Sequence, residues 1–529
     1  MSDWQPLLDE LRRKHDAALA MGGPERVARQ RGAGRLDARA RIDALCDPGS
    51  FREIGSLVGS SEGAAADGLI TGVGRLNARP VAIGAEDFTV MGGSIGPGTA
   101  SKRFRIAEMA GSLRMPLVFL LDGAGARVTS SGARHGRSPG DLQMVAILSG
   151  RVPTVAVVMG PSAGHGALVA PLMDVTFMVQ GAAIFAAGPP LVASSMGEVV
   201  DKETLGGAAA QVSSGVVHNV VSTDTDALML VRRYLSFFPS SAWAMPPSHS
   251  ARSDGGPHVR TSGQDVQGRA AQLGAAVSGL SGSVPRPGPG SRPAIPASQG
   301  QDSQGPYGLR TEPTIAADDD TGPRRLDAIL DIVPAVGTKP YDMADVLDLA
   351  LDDGDWLELQ PGYGRSLVTA LARLGGRPVM VIANQPKVKA GAIDAAAAEK
   401  AAHMIELADA YRLPLVFLAD NPGVLAGTAA ERSGILRAGA RMYAAQHRAT
   451  TVKLHVTLRK AFGFGSSVMA MNPFDGRRSR TASRESASAP CRGGARAERR
   501  TPTPMPKRRW SPRIWPADSA PPRTSVMTR

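Results

Sequence analysis

The sequence predicts an α/β protein built from two homologous domains. The passages RLNARPVAI and GSLRMPLVFLLD return later in the chain as RLGGRPVMV and DAYRLPLVFLAD. The separation of Arg79 from Pro116 is the same as that of Arg377 from Pro414, so no gap interrupts the repeat. The chain is rich in Ala, Gly, Val and Leu, and only 4% of it is aromatic, which suits close packing of helices on sheets. A repeat of this length indicates duplicated domains rather than a solenoid.

Apolar runs and helical patterns alternate along the first copy. Short runs rich in β-branched residues predict buried strands at 81–85, 117–121 and 155–159. Between them, residues 102–113 have the spacing of a helix. The second copy repeats this order, which predicts a second domain of the same design.

Each copy contains a glycine motif at the end of a predicted strand. VPTVAVVMGPSAGHGA in the first copy corresponds to VKLHVTLRKAFGFGSS in the second, and the Gly-x-Gly motifs occupy residues 164–166 and 463–465. A strand, a glycine turn and a helix start leave backbone N–H groups pointing into a cleft. Such donors can hold an anion, or an oxygen that becomes one during a reaction.

Changes in composition divide the chain into five segments. We expect an N-terminal helical segment, a first αβ domain, a Pro/Gly/Ser-rich disordered linker, a second αβ domain that is truncated, and a basic disordered tail. Their bounds are 1–60, 61–238, 239–322, 323–476 and 477–529.

Charge and cysteine content exclude several functions. Residues 477–529 contain 14 Lys and Arg against 3 Asp and Glu, so this tail supplies 11 units of the net charge of +12, and we expect no nucleic-acid partner. Two cysteines, Cys46 and Cys491, are too few for a zinc ribbon, and we expect no metal. The start of the chain predicts a charged amphipathic helix rather than a signal peptide, and no apolar run reaches the roughly 20 residues of a membrane span. We therefore expect a cytoplasmic protein with no membrane partner.

The motifs together resemble a known family. The carboxyltransferase, or β, subunits of biotin-dependent acyl-CoA carboxylases of the propionyl-CoA and acetyl-CoA type, including the actinobacterial ones, contain passages similar to RLDARARIDALCDPGSF, EDFTVMGGSIG, GPSAGHGA, DIVPAVGTKPYDM, IANQPKVKAGAID and LRKAFGFGSSVM. Their order and spacing agree over about residues 20–240 and 320–475.

This resemblance implies a fold, a reaction and partners. The fold would be a pair of crotonase/ClpP-like spiral domains, the N-terminal one for acyl-CoA and the C-terminal one for biotin. The reaction would move a carboxyl group from carboxybiotin to the α carbon of a short-chain acyl-CoA, with backbone N–H groups stabilising the enolates. Biotin would arrive on a separate carrier protein or subunit that works with a biotin carboxylase, and the chain would form a homo-oligomer, usually a hexamer.

The resemblance also implies the site residues. The backbone donors map, to within one residue, onto Gly164 and His165 in the first motif and onto Phe464 and Gly465 in the second. Further substrate-binding residues are expected at Gly92, Gly93, Ala124, Gly125, Gly166, Gly463 and Ser467.

The chain departs from the family pattern in four places. Gly-His and Gly-Phe-Gly replace the usual Gly-Gly and Gly-Gly-Ala, so a positive φ at His165 or Phe464 would strain the backbone. Ser467 occupies the position that selects acyl-chain length. Relatives have a short linker in place of residues 239–322. They also continue past residue 475, and the composition of the basic tail resembles an out-of-frame reading of a GC-rich gene.

Other interpretations remain open at this point. A biotin-dependent acyl-CoA decarboxylase or transcarboxylase would share the fold, and an inactive paralogue would explain the altered C-terminal region. Taken singly, each glycine motif is also typical of a tight turn without a ligand. The loop at residues 122–127 could be a turn or the lining of a cleft, and the side chain of His165 could have no role of its own.

Overall fold

Two β-sheets with matching strand order form the framework of the protein. The structure is a computed structural model that describes residues 4–59, 66–127, 140–246, 326–471, 478–482 and 487–489. Strands and helices alternate within each sheet region, as the sequence predicts.

The first half of the chain contains the following elements. Its strands are β1 (Arg52–Ile54), β2 (Leu69–Leu76), β3 (Arg79–Glu86), β4 (Leu117–Gly123), β5 (Thr154–Ala163), β6 (Val175–Val179), β7 (Ala183–Phe185) and β8 (Asn219–Val221). Its helices are α1 (Gln5–Leu19), α2 (Pro24–Gly32), α3 (Ala38–Leu45), α4 (Pro97–Ser112), α5 (Asp141–Leu148), α6 (Gly164–Ala167), α7 (Pro189–Met196), α8 (Lys202–Gly206), α9 (Ala208–Ser213) and α10 (Asp224–Ser236).

The second half repeats most of this order. Its strands are β9 (Trp356–Leu359), β10 (Leu367–Leu374), β11 (Arg377–Asn384), β12 (Leu415–Asn421), β13 (Lys453–Phe462), β14 (Arg478–Ala482) and β15 (Ala487–Ala489). Its helices are α11 (Ile329–Ile332), α12 (Met343–Ala350), α13 (Ala395–Ala410), α14 (Thr428–Arg432), α15 (Ile435–Arg448) and α16 (Gly463–Val468).

The strand order shows the duplication directly. The first sheet has the order β1-β2-β3-β4-β5-β6-β8 with β7 beside β5, and the second has the order β9-β10-β11-β12-β13-β14 with β15 beside β13. An antiparallel hairpin starts each series, β2–β3 in one sheet and β10–β11 in the other, and the strands that follow are parallel. The predicted α/β fold with two domains of one design is confirmed.

Details of the backbone repeat as well. The two hairpins turn over Asn77 and Ala78 in the first half and over Gly375 and Gly376 in the second, and all four residues have positive φ. Positive φ at both central residues is the pattern of a type I′ turn, whose twist matches that of paired strands. The same turn is thus made with different residues in the two copies.

A buried lysine occupies equivalent positions on α4 and α13. Lys102 Nζ donates to the carbonyl of Leu69 over 2.8 Å, and Lys400 Nζ donates to the carbonyl of Leu367 over 2.7 Å. Both lysines are nearly inaccessible to solvent. Because a buried ammonium group is costly without a partner, each lysine anchors its helix to the start of a strand.

The two halves share one core. Tyr411 on α13 packs edge-to-face against Phe238 at a centroid distance of 5.3 Å. The Tyr411 hydroxyl donates to Asp174 Oδ2 over 2.9 Å, and His403 Nε2 lies 2.9 Å from the Asp174 carbonyl oxygen. Burial raises the pKa of Asp174 to about 6, although the hydrogen bonds from Thr154 and Tyr411 favour the carboxylate.

Replacing Asp174 by asparagine is expected to change how stability depends on pH. The folded pKa of Asp174 lies above its unfolded value of about 4, so its stabilising contribution is complete below that value and is lost as the pH rises through about 6. The melting temperature of Asp174→Asn relative to the wild type should therefore be higher near pH 7.5 than near pH 4.5. If the difference in melting temperature between the variant and the wild type were the same at both pH values, the raised pKa of Asp174 would be contradicted.

Parts of the predicted segment plan lie outside the described residues. These are residues 247–322 of the predicted linker and most of the tail beyond residue 476. Two short strands, β14 and β15, fall inside the range predicted as a disordered tail and extend the second sheet beside β13. Main-chain hydrogen bonds to an edge strand need no apolar side chains. The disorder and the bounds of the tail stay a prediction.

Membrane-spanning helices and metal sites are both absent from the part of the chain that the structure describes. No helix within it is long and apolar enough to cross a membrane. No group of His, Cys, Asp and Glu side chains within it has the arrangement of a metal site. The cytoplasmic location stays a prediction.

Candidate active site

Two glycine turns occupy equivalent places in the two sheets. β5 runs directly into α6 at Gly164, and β13 runs directly into α16 at Gly463. Gly164 has φ +55° and Gly463 has φ +53°, values that favour glycine. His165 and Phe464 follow these glycines and do not have positive φ, so the condition for backbone strain at these two residues is not met.

The turns leave backbone donors free of helical partners. The first N–H groups of a helix have no acceptor within it, and here they belong to residues 164–166 and 463–465. Gly164 corresponds to Gly463 by position. The predicted donor pairs are Gly164 with His165 and Phe464 with Gly465. They are therefore not equivalent, because the second pair begins one residue later in its motif than the first.

The other first-half site residues surround the first turn. Gly92 and Gly93 have positive φ, and the Ala124 N–H donates to the Gly92 carbonyl over 2.9 Å. A Cβ atom on Gly93 would lie 2.9 Å from the Gly123 Cα, so only glycine allows these segments to approach. The glycine pair at 92–93 therefore packs directly against the loop at residues 122–127.

Gly125 connects that loop to the end of β5. Its φ is +87°, and a Cβ atom there would lie 2.6 Å from the carbonyl oxygen of Ala163, the residue before Gly164. The Ile95 N–H donates to the Gly125 carbonyl over 2.7 Å. Gly92, Gly93, Ala124 and Gly125 thus form one contiguous group with the first glycine turn.

Charged side chains that the sequence analysis missed lie beneath this group. Arg103 Nη1 binds Glu86 Oε1 at 2.7 Å, and Arg103 Nε binds Asp141 Oδ2 at 2.8 Å. Asp141 Oδ1 is 2.7 Å from His165 Nε2. Glu86 Oε2 also accepts from the Asp122 N–H over 2.8 Å.

Burial and pairing act differently on the two carboxyl groups of this network. Burial raises the pKa of Glu86, despite its contact with Arg103. For Asp141, burial acts in the same direction, but hydrogen bonds from His165 and Arg103 outweigh it and hold the pKa below its usual value. Asp141 is therefore a carboxylate at neutral pH.

The backbone around the second turn repeats that around the first. Lys389, Ala390 and Gly391 have positive φ, as residues 91–93 do, and the Ile393 N–H donates to the Gly423 carbonyl over 3.2 Å. Gly423 also has positive φ.

Amide side chains replace the ionic network in this half. Asn384 stands at the position of Glu86, and its Oδ1 accepts from the Asp420 N–H over 3.1 Å and from Asn421 Nδ2 over 3.0 Å. Asn384 Nδ2 donates to the Gly391 carbonyl over 3.1 Å. The environment of the second turn is therefore polar but uncharged at these positions.

Phe464 and Ser467 present side chains at the second turn. The Phe464 ring is 38% exposed and lies 5.7 Å from the Tyr443 ring on α15. Ser467 is half-buried on the same short helix, α16. An aromatic surface and a small hydroxyl side chain thus flank the second set of backbone donors.

Comparison with known proteins agrees with this geometry. The model of the carboxyl transferase domain family matches residues 29–263 and 302–491. The carboxyltransferase subunit of propionyl-CoA carboxylase from Haloferax mediterranei is 33% identical over 474 residues, which cover 88% of this chain and 79% of that protein. The beta4 subunit of the biotin-dependent long chain acyl-coenzyme A carboxylase from Mycobacterium tuberculosis is also 33% identical, over 87% of this chain and 77% of that protein.

A solved structure has the same fold. The transcarboxylase 12S crystal structure, a hexamer assembly with methylmalonyl-coenzyme A and methylmalonic acid bound, superposes with a TM-score of 0.72 at 30% identity. The match covers 92% of this chain and 84% of that one. The predicted fold class and the predicted resemblance are confirmed, and the chain belongs to the carboxyl transferase domain family.

Proposed function

We propose that the protein is the carboxyltransferase subunit of a biotin-dependent acyl-CoA carboxylase, and that it transfers a carboxyl group to the α carbon of a short-chain acyl-CoA. The observation that carries this proposal is the pair of glycine turns at equivalent positions of two duplicated sheets. A reaction between two bound groups that both develop negative oxygen atoms needs two sets of donors, and the chain has two.

The first turn is assigned to the acyl-CoA thioester. Removal of the α-proton places negative charge on the thioester oxygen, and the N–H groups of residues 164–166, which have no acceptor within α6, can donate to that oxygen. A preorganised donor of this kind typically contributes about 3–4 kcal/mol to stabilisation of the transition state. The glycines at 93 and 125 allow backbone segments to lie close together around this position.

The second turn is assigned to biotin carried on a separate protein. Biotin supplies the carboxyl group and the base for the α-proton. The residues fit this group because the N–H groups of Phe464 and Gly465 can donate to an oxygen that becomes negative, and the half-exposed ring of Phe464 offers an apolar surface. Asn384 and Asn421 keep the position beneath the turn uncharged.

The assembly belongs to the same proposal. A homo-oligomer is expected, since the related 12S protein is described as a hexamer. The expected partners are a biotin carboxylase and a biotin carrier, since the proposed chemistry needs carboxylated biotin from outside this chain.

Carboxyl transfer in a reconstituted system tests the proposal. The purified chain, a biotin carboxylase with its carrier, ATP and ¹³C-bicarbonate should convert propionyl-CoA into a ¹³C-carboxylated thioester, detected by mass spectrometry. Omitting ATP should abolish the label. If methylmalonyl-CoA donates a carboxyl group without ATP while bicarbonate gives no product, the protein is a transcarboxylase. Binding of acyl-CoA with no transfer in either system would identify an inactive paralogue.

Replacing Ser467 by aspartate is expected to shift the preference among acyl chains. Biotin and the acyl-CoA react with each other, so we expect a residue beside the biotin turn also to lie near the acyl chain. A carboxylate at this position of α16 would be larger than serine and charged, so it would discriminate against longer apolar acyl groups. The ratios of kcat/KM for acetyl-, propionyl- and butyryl-CoA measure the shift. Equal ratios in the variant and the wild type would show that Ser467 does not face the acyl group.

A further inference from the structure

Four ionisable side chains from four different elements form a continuous network that ends at the first glycine turn. Glu86 closes β3, Arg103 lies on α4, Asp141 starts α5 and His165 lies on α6. The contacts between successive members are 2.7, 2.8 and 2.7 Å. We call these four residues the positioning network.

His165 is the solvent-accessible end of the positioning network. Its side chain is 39% exposed, whereas those of Glu86, Arg103 and Asp141 are almost completely buried. Buried charges are retained where they are paired, so the three inner members hold one another in place. The network therefore offers His165 a fixed acceptor, the Asp141 carboxylate.

The ionisation of Asp141 determines which nitrogen of the neutral imidazole carries the proton. As a carboxylate, Asp141 can only accept, so His165 Nε2 must carry a proton in the neutral imidazole as well as in the charged one. The bond from Nε2 to Asp141 therefore persists whether or not Nδ1 is protonated.

The second half of the chain reaches the same turn without this bond. Phe464 stands at the position of His165, and its ring lies against Gly439 on α15, where a Cβ atom would be 3.0 Å away. The leading glycines of the two turns nevertheless have φ values of +55° and +53°. The hydrogen bond between His165 and Asp141 is thus not needed to fold such a turn, and its presence in the first half calls for another explanation.

We infer that His165 is a positioning residue of the acyl-CoA half of the site. The hydrogen bond from its imidazole to Asp141 orients the backbone of residues 164–166 so that the backbone N–H groups point towards the thioester oxygen. This inference rests on the proposed function. It gives the His165 side chain a role in positioning, which the solvent exposure of that side chain alone would not indicate.

Removing the bond should affect turnover more than binding. His165→Ala deletes the donor without adding bulk and should lower kcat for carboxyl transfer by about 10–100-fold, as expected for a small misplacement of a reacting group. The KM for acyl-CoA should stay within about twofold, since most contacts with the substrate remain. His165→Gln should recover most of the activity because its side-chain amide can donate to Asp141, and the melting temperatures of both variants should match that of the wild type.

Backbone hydrogen exchange tests the same inference without relying on activity. Amides in a peptide covering residues 160–170 should exchange faster in His165→Ala than in the wild type and at the wild-type rate in His165→Gln. A Phe464→Leu variant should leave exchange in this peptide unchanged, because it alters the other turn.

The outcomes separate the inference from the proposed function. Unchanged exchange and unchanged kcat in His165→Ala would overturn the inference, as would equal losses in the Ala and Gln variants. If the wild-type chain transfers no carboxyl group, the proposed function fails, and the exchange measurements still decide whether the positioning network holds the turn.

Discussion

Replacing Gly465 by alanine is expected to abolish carboxyl transfer and to lower the free energy of unfolding by about 1–3 kcal/mol. A Cβ atom at this position would overlap Asn421 Oδ1 and would lie 2.6 Å from the Gly423 Cα. The Gly423 N–H donates to the same Asn421 oxygen over 3.0 Å, so neither group can move without breaking the structure under the second turn. Turnover assays and denaturant unfolding measure the two effects.

Gly166 provides the matched control in the first half. It is the positional counterpart of Gly465, but a Cβ atom on it would lie 3.5 Å from both Glu86 Oε1 and Ile95 Cδ1, which is ordinary van der Waals contact. Gly166→Ala should therefore change the free energy of unfolding by no more than about 0.5 kcal/mol. Equal destabilisation by both substitutions would show that the two turns are packed alike, contrary to the structure.

The duplication and the glycine turns could be predicted from the sequence because they depend on spacing. An uninterrupted repeat and a Gly-x-Gly motif after each buried strand specify where the chain turns, whatever packs around it. The spacing did not show which residue of each motif takes positive φ. The structure assigns it to Gly164 and Gly463, and this explains how His165 and Phe464 are accommodated where the family resemblance implies glycine.

The positioning network could not be predicted, because its members are far apart in sequence. Arg103 is separated from Glu86 by 17 residues and from Asp141 by 38, and each looks like an ordinary charged residue in its own segment. The repeat contains one usable signal. Glu86 ends a buried strand where the second copy has Asn384, and a polar residue at the same strand end in both copies indicates a buried acceptor.

Neither the spacing of the glycine motifs nor the backbone geometry of the turns indicates which substrate each turn binds. The turns are nearly identical in φ but differ at the matching strand ends, where Glu86 pairs with Arg103 in the first half and Asn384 bonds to Asn421 in the second. The roles of Gly92, Gly93, Ala124, Gly125 and Ser467 stay predictions for the same reason. Packing places these residues at the turns, and only bound substrates or variants can assign them.

Replacing Arg41 by methionine is expected to cause the largest loss of stability. Arg41 on α3 is completely buried, and it binds Asp122 Oδ2 over 2.8 Å and Asp224 Oδ2 over 2.9 Å. Asp122 closes β4 and Asp224 starts α10, so one side chain ties the N-terminal helices to the sheet and to a covering helix. Arg35 also binds Asp122, but Asp224 would lose its guanidinium partner in the variant.

A buried carboxylate left without its partner costs about 3–5 kcal/mol, which is a large part of the 5–15 kcal/mol that typically separates folded and unfolded states. We therefore expect Arg41→Met to lower the free energy of unfolding by about that amount in denaturant titrations. Arg105→Met on α4 is the control, because Arg105 is exposed and pairs with Glu108 one helical turn away, a contact that typically contributes about 0–1 kcal/mol. The second half has a similar buried pair, Arg459 with Asp420 at 2.7 Å, and Arg459→Met should behave like Arg41→Met. Losses below about 1 kcal/mol in both buried variants would show that the aspartates find other donors and that the arginines do not hold the strand ends in place.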